Sequence, residues 1–526
     1  MTFAFRFSTN ADIASAITTT CSRAGAIRTG SGLSGSCVAK GPTLSSKTRP
    51  NARALSTRPD CTARGSMPGP HAKPVRGVLV VKIAILGGGI SGCALARMLA
   101  ADGHQVTVLE RSERPGGLCK SRRYDDFTFD EAGGHIIFSK DQEVLDWQLD
   151  RCGGEAGTQR TERKTRIRWH DRWVPYPFEN GVGHLTKEAT VECMKGYIEA
   201  YVSRRMGEPC PENFGDWIQW RMGDGFARHF MVPYNEKIWK RDLTTMASAW
   251  VAGRVPEAPI EDILRSAIGV DTEGYTHQSV FWFPLRGGFE AMVAGTVDGG
   301  AFDLSCNVEV QRVERHADGF KVNGEPFDLV VNTVPLPQIE PAFQDIPDAI
   351  RGDIRALRPI SLVNVMIGVK LDEPLPDLSW IYLPFPDQGP TNRATYYSNY
   401  SKFNAPEGHG CFLAEVTHRG DLRADDREWL QTVVDGLDRA GILRKEQVVL
   451  LEACNNEYAY IDQDLEFAAR IARVRKWFDG SGYLTFGRFG RYEYHNSDQC
   501  VRRAMQVHQH IRELARSGDR APLVLP

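Results

Sequence analysis

Val78–Glu110 reads VLVVKIAILGGGISGCALARMLAADGHQVTVLE, and the order of its parts decides the fold. The run from Val78 to Leu86 is apolar and β-branched with little polar alternation, as expected of a parallel strand buried on both faces. It leads into Gly87-Gly88-Gly89-Ile90-Ser91-Gly92, a GxGxxG, and then into a helical pattern, CALARMLAADG. Glycines at these spacings tighten the turn and let the backbone approach a pyrophosphate, whose charge sits at the helix N-terminus. A second strand, Gln105–Leu109, ends in Glu110. An acid there accepts a hydrogen bond from a ribose 2′-hydroxyl and repels a 2′-phosphate, so NADP is disfavoured in this site. Strand, glycines, helix, strand and acid in register predict a dinucleotide site built on Gly87, Gly89, Ile90, Ser91, Gly92 and Glu110.

The rest of the chain sets the context. Of 526 residues, 42% are hydrophobic and 25% charged, the make-up of a globular protein. No apolar stretch approaches the eighteen or so residues that would span a bilayer. Residues 1–79 carry eleven Lys and Arg against two acids, a net of +9, leaving the remainder at −11. An acidic body argues against a nucleic-acid-binding surface. Residues 1–77 are rich in Ser and Thr, poor in acids and without periodicity. They resemble an organellar transit peptide, plastid more than mitochondrial, with Met67 as an alternative start and a cytoplasmic location if the leader is no address. The twelve cysteines form no CxxC pair and no zinc spacing, so they read as reduced thiols and no metal site is expected.

A second glycine pair follows the ribose acid at once, in Arg111–Leu118 (RSERPGGL). It resembles the element common to the flavin amine oxidase and protoporphyrinogen oxidase superfamily, which implies FAD, with Arg111, Gly116, Gly117 and Leu118 along its phosphates and ribityl chain. VEVQRVE and DLVVNTVP, within residues 308–335, resemble that fold's adenine-contacting strand, through Val310, and the strand completing its sheet. YLTFGRFGRYEYHNSDQC, from Tyr483, resembles the segment closing on the isoalloxazine ring, with Gly487, Tyr492 and Asn496 as cofactor contacts. Monoamine oxidases attach flavin through a Cys with no obvious counterpart here, since Cys500 falls inside the final predicted helix.

The intervening motifs are more specific. GGHIIFS (Gly133–Ser139), WVPYPFENG (Trp173–Gly181), HFMVPYNEKIW (His229–Trp239), AWVAGRVP (Ala249–Pro256), FWFPLRGG (Phe281–Gly288), NRATYYSNYS (Asn392–Ser401) and GRFGRYEYHN (Gly487–Asn496) occur in that order. Together they resemble UDP-galactopyranose mutases of the eukaryotic type. That resemblance implies an enzyme that interconverts UDP-galactopyranose and UDP-galactofuranose through reduced FAD, whose N5 forms a sugar adduct, with NAD(P)H as the reductant. Arg393 and Arg488 match the family's diphosphate-binding pair. Gly134 and His135 match the flavin-edge loop, and Arg168 and Arg254 match further active-site arginines, with Arg166 and Arg172 close by. Phe230, Tyr234, Asn235 and Trp239 match the uridine pocket, although their spacing is also that of an ordinary buried helix face. Tyr382, Tyr400, Tyr458 and Tyr492 match tyrosines that reach the diphosphate, and Tyr460 is an alternative to Tyr458 because the family's following Pro is missing. Gln278 and Trp282 depart from the family's Asn and Arg, which makes a UDP-sugar a safer expectation than galactose itself.

The expected fold is α/β, a Rossmann-like FAD domain assembled from residues 78–140, 281–345 and 481–517. A helical substrate and lid insert is expected over 141–280, a mixed β-sheet substrate domain over 346–480, and a tail over 518–526. Two other functions fit the same fold: an FAD-dependent oxidoreductase of the protoporphyrinogen or amine oxidase type, and a nucleotide-sugar-binding module without catalysis.

Overall fold

The computed structural model describes residues 80–251, 258–270, 272, 279–420 and 422–517. The leader, Arg254, Gln278 and the tail lie outside the described residues. The fold is α/β, with one parallel sheet and one larger mixed sheet.

The parallel sheet runs Leu484–Thr485, Leu329–Asn332, Lys82–Leu86, Gln105–Leu109, Asp303–Ser305. Its five strands come from all three sequence segments, and every pairing is parallel. The opening strand sits in the centre, which is why Ile83–Leu86 are fully buried and carry no alternation. Helices Ile90–Ala101 and Ser497–Ser517 cover one face, meeting through Ala94, Leu95 and Leu99 on the first and Ala504, Val507 and Ile511 on the second. A three-stranded meander spanning 313–327 covers the other, packing Val313 and Phe320 against Ala84 and Leu86.

The mixed sheet has seven strands in the order Val448–Ile461, Pro359–Lys370, His409–His418, Arg393–Tyr396, Trp380–Tyr382, Thr165–Trp169, Arg172–Pro175. Period-two alternation divides its residues between the faces. Val363, Val365, Ile367 and Ile381 pack on helix Arg427–Arg439, whereas Met366 and Leu413 belong to the cluster that holds Ile90 and Phe129. The segment 141–280 holds the expected helices, Lys187–Arg205 and Phe214–Phe226 among them, but also three strands. Thr158–Glu162 pairs with Val280–Pro284, and the hairpin 165–175 extends the mixed sheet. In TRIRW the residues Thr165, Ile167 and Trp169 are buried in alternation, a strand pattern that a helical insert would not use.

Candidate functional site

A cleft of about 850 Å³ begins at the glycine turn, passes His135 and ends against the mixed sheet at Arg393 and Arg488. At its nucleotide end, helix Ile90–Ala101 starts at Gly89 with no side chain capping its first turn. Its N–H groups and positive dipole end are therefore available to an anion. Gly89 and Gly116 form a parallel bridge, and a Cβ on Gly117 would lie 3.3 Å from the Gly89 Cα, so the two glycine motifs close on each other through bare backbone. Glu110 is buried and accepts hydrogen bonds from the N–H of Gly88 and of Ser112, both at 2.8 Å. Those bonds fix the carboxylate at the cleft wall, where it keeps acceptor capacity for a hydroxyl. Arg111, Leu118 and Val310 border the same end, and Asn496 borders the cleft from the stretch that precedes the last helix. Gly487 has φ +91°, and a Cβ on it would lie 3.0 Å from the Ser91 Oγ.

His135 lies midway. Gly133 has φ +97°, and a Cβ on it would meet Glu415 at 2.8 Å, so the loop needs glycine to pass over this acid. The imidazole is about a quarter exposed, and its ring stacks on Phe289 at 5.0 Å.

The far end gathers two arginines and several tyrosines. Arg393 Nε donates to Glu415 Oε1 at 2.8 Å, and Glu415 has 0% exposed surface. The same oxygen accepts from the Gly134 N–H at 3.3 Å. Loss of solvent works against the Arg393 charge, but Glu415, Tyr460 and Tyr382 more than offset it and hold its pKa well above the ordinary value. Arg488 donates to the carbonyls of His495 and Ala459, each at 2.7 Å. Its Nε is buried with no hydrogen-bond partner among the described residues, and its guanidinium lies 4.5 Å from the Tyr494 ring. Tyr234 and Tyr382 form a wall, with ring centroids 5.2 Å apart. Tyr458 and Tyr460 both border the cleft. Burial pushes the Tyr458 hydroxyl up to about 12, with Arg111 opposing, while Tyr460 stands with Arg393 and Arg488. Tyr460 is therefore the one placed with the arginines.

Several expected residues are elsewhere. Arg168 shares its sheet face with helix Arg427–Arg439: Nε donates to the Ala440 carbonyl at 2.8 Å and the guanidinium lies over Trp173. Strand alternation explains it, since Ile167, paired with cleft-facing Tyr382, points the other way. Arg166 and Arg172 also bond to backbone carbonyls, of Thr165 and His184. Tyr400 is buried against Phe281 and Phe283, and Tyr492, at φ +53°, is buried against Phe489. Gly92 packs inside the turn. Phe230 stacks between Phe178 and Tyr234.

Asn235 and Trp239 lie in the insert's core. Asn235 Nδ2 donates to the Met231 carbonyl at 2.7 Å, and its Oδ1 accepts from Trp239 Nε1 at 3.2 Å. Replacing Asn235 with Ala strips a buried indole N–H of its acceptor, a cost of about 1–3 kcal/mol. The expected result is a lower melting temperature; weaker nucleotide binding at full stability would instead restore the expected uridine role.

Sequence reasoning passed over Glu415, Asp130, Asn392 and Trp380. The signal for Glu415 was present, a lone acid inside the apolar strand GCFLAEVTH. Asn392 and Trp380 also border the cleft. Cys500 does so from the first turn of its helix, its thiol pushed up by burial. Among the described residues no helix is long and apolar enough to cross a membrane, and no His, Cys, Asp and Glu cluster could hold a metal ion.

The family model for flavin containing amine oxidoreductases matches residues 90–452. A solved reduced UDP-galactopyranose mutase is similar with a TM-score of 0.76 at 27% identity, covering 83% of this chain and 96% of that one. A protein described as a candidate protoporphyrinogen oxidase from Exiguobacterium sp. 255-15 gives 0.64 at 19% identity, covering 83% of this chain and all of that one, a likeness of fold. A 4,4'-diapophytoene desaturase of Staphylococcus haemolyticus (strain JCSC1435) is 50% identical over 48 residues, which span 9% of this chain and 10% of that protein.

Proposed function

We propose, for a chain that belongs to the flavin containing amine oxidoreductases, that the cleft isomerises a UDP-sugar, interconverting UDP-galactopyranose and UDP-galactofuranose or a close relative. FAD, which the family implies, fits the residues present: an uncapped helix start, two glycine motifs in backbone contact and a fixed carboxylate at the ribose position. Bound and reduced, FAD would supply the nucleophilic chemistry at the sugar, with NAD(P)H as the proposed source of its electrons. The chain's own task is to hold a diphosphate while the sugar rearranges. Arginine suits this, being permanently charged and bidentate towards phosphate.

The observation that carries the assignment is that Arg393, from the mixed sheet, and Arg488, from the last cofactor segment, reach one end of the same cleft. Tyr382, Tyr460 and Tyr234 stand in the same cleft, and burial keeps the Tyr460 and Tyr234 hydroxyls neutral donors. Trp380 and Leu362 add apolar wall to the same cleft, and a charged contact is stronger where the surroundings are less polar. Similarity to the solved mutase supports the same assignment. Asn235 and Trp239 receive no substrate role in it.

Glu415 fixes Arg393 and the Gly134 loop together. Glu415→Gln keeps the shape and removes the charge, a loss of about 1.5–3 kcal/mol for a charge-assisted bond. We expect kcat/KM for the UDP-sugar to fall roughly 10–100-fold with flavin content intact. An unchanged kcat/KM would remove Glu415 from the machinery.

A second function is favoured by the family description itself: an FAD-dependent oxidoreductase that uses an acceptor at every turnover. The deciding experiment uses protein from residue 78 onward, its flavin reduced by dithionite without oxygen. It is incubated with UDP-galactofuranose, and the pyranose form is followed by ion-pair chromatography. Conversion by reduced but not oxidised enzyme, with no reductant consumed, establishes the isomerase. Flavin that reduces normally while the sugar nucleotide stays untouched rejects that substrate and turns the search to other UDP-sugars and then to oxidase substrates.

A further inference from the structure

Asp130 ends the strand Phe127–Asp130 and has 0% exposed surface. One carboxylate oxygen is fully used: Oδ1 accepts from Ser121 Oγ at 2.7 Å and from the Phe289 N–H at 2.9 Å. Gly288 makes room for this, since a Cβ there would lie 2.3 Å from Ser121 Oγ and 3.0 Å from Asp130 Oδ1. The second oxygen, Oδ2, makes no hydrogen bond of ordinary geometry with the described residues, and neither does His135 Nδ1. The two lie 3.8 Å apart. Phe289 ties them together, its N–H on Asp130 and its ring stacked on the His135 imidazole with planes 23° apart.

A buried carboxylate with an unused oxygen is costly unless a donor faces it. The candidates around Asp130 are few. Tyr397 is buried beside it and is the other donor to this carboxylate: burial, then the Asp130 charge and a hydrogen bond to Asp130, hold that hydroxyl well above its usual pKa, so it stays protonated. Tyr400 and Cys119 also feel Asp130, and burial keeps both neutral. Of these groups only His135 and Cys119 also border the cleft, and the His135 Nδ1 stands 3.8 Å from Oδ2. A separation of 3.8 Å is longer than a hydrogen bond, but such contacts tighten when a site is filled.

We infer that Asp130 is a positioning residue for His135: it holds the proton on Nδ1 and leaves Nε2 as the acceptor turned towards the cleft. A carboxylate behind one ring nitrogen fixes both tautomer and ring orientation. The inference rests on the flavin assignment of the cleft and not on which sugar occupies it. Asp130 touches neither substrate nor cofactor and acts through the imidazole alone.

The test is the tautomer itself, read from ¹⁵N shifts in long-range ¹H–¹⁵N spectra of histidine-labelled holoenzyme, with the His135 signals identified by their loss in His135→Gln. The wild-type protein is expected to show Nδ1–H, and Asp130→Asn, whose amide can donate to Nδ1, is expected to show Nε2–H. Turnover of the UDP-sugar by Asp130→Asn is expected to fall roughly 10–100-fold, the range seen for outer partners of metal-ligating histidines. Wild-type protein in the Nε2–H form overturns the inference without any variant having to fold. So does an Asp130→Asn protein with the wild-type tautomer. If the wild-type protein shows Nδ1–H yet never converts a UDP-sugar, the pairing stands and the mutase assignment falls.

Discussion

Arg393→Ala is expected to lower UDP-galactofuranose conversion by about 10²–10³-fold, the cost of removing one preorganised donor from developing charge. The flavin should stay bound and reducible. Arg393 sits at the mixed-sheet end of the cleft, beyond the loop carrying His135, while the cofactor cradle is backbone and Glu110. Its ion pair with Glu415 joins two strands, His409–His418 and Arg393–Tyr396, that also pair through their ladder. Truncation leaves Glu415 buried and short of a cation, so some stability is lost as well. Activity must therefore be compared at a temperature where circular dichroism shows both proteins folded. Arg393→Lys keeps a charge for Glu415 but cannot grip a diphosphate with two parallel bonds; it should recover the stability and little of the rate. A true oxidase would not depend on this residue so heavily. Near-normal conversion by Arg393→Ala would remove the diphosphate clamp from the assignment, and with it the main support for a UDP-sugar.

How far this site could be read from the chain depended on what kind of signal each residue carries. The glycine cradle was legible because backbone demands leave marks in sequence. Only glycine tolerates the φ of +98° at Gly87 or the +132° at Gly116, and those glycines come at fixed offsets from a strand and an acid. Strand direction was much harder. Arg166, Arg168 and Arg172 stand within seven residues, and choosing among them requires knowing which face of Thr165–Trp169 meets the cleft. A one-residue change of register exchanges the faces, and here Ile167 and Tyr382 take the cleft side while Arg168 turns towards Ala440. Tyr458 and Tyr460, two apart on one strand, share a face, so alternation could not separate them.

For Asn235 and Trp239 the helical spacing and the family resemblance pointed different ways, and their placement in the insert's core follows the spacing. Asn235 and Trp239 are four apart, which also makes them partners in one hydrogen bond along their own helix. Asp130 and Glu415 left weaker signals still. Each is an acid whose charge is met by a residue distant in sequence or held in a loop, so its value appears only once Gly133 and Gly134 are seen crossing above Glu415.

The largest loss of all is expected from the glycine turn, where two substitutions fail for different reasons. On Gly92 a Cβ would lie 2.1 Å from the Gly87 carbonyl oxygen and 3.2 Å from an Ile85 methyl. The obstacle is backbone, held by Gly87 N–H to Leu109 O at 2.9 Å and by Thr333 Oγ1 to Gly87 O at 3.1 Å. Helix Ile90–Ala101 must move off the sheet to make room, carrying its open N–H groups away from the pyrophosphate. Gly92→Ala should therefore be colourless on purification and less stable than wild-type protein stripped of flavin. On Gly89 the nearest protein atom to an added Cβ is the Gly117 Cα at 3.9 Å, an ordinary contact. Gly89→Ala should match the stripped wild-type protein in stability and still bind little flavin, because its methyl group occupies space the phosphates need. Absorbance near 450 nm against protein content, with melting curves of the stripped proteins, separates the two. A yellow Gly89→Ala protein with full flavin content would mean that the cofactor does not lie across this turn, whatever the glycine spacing says.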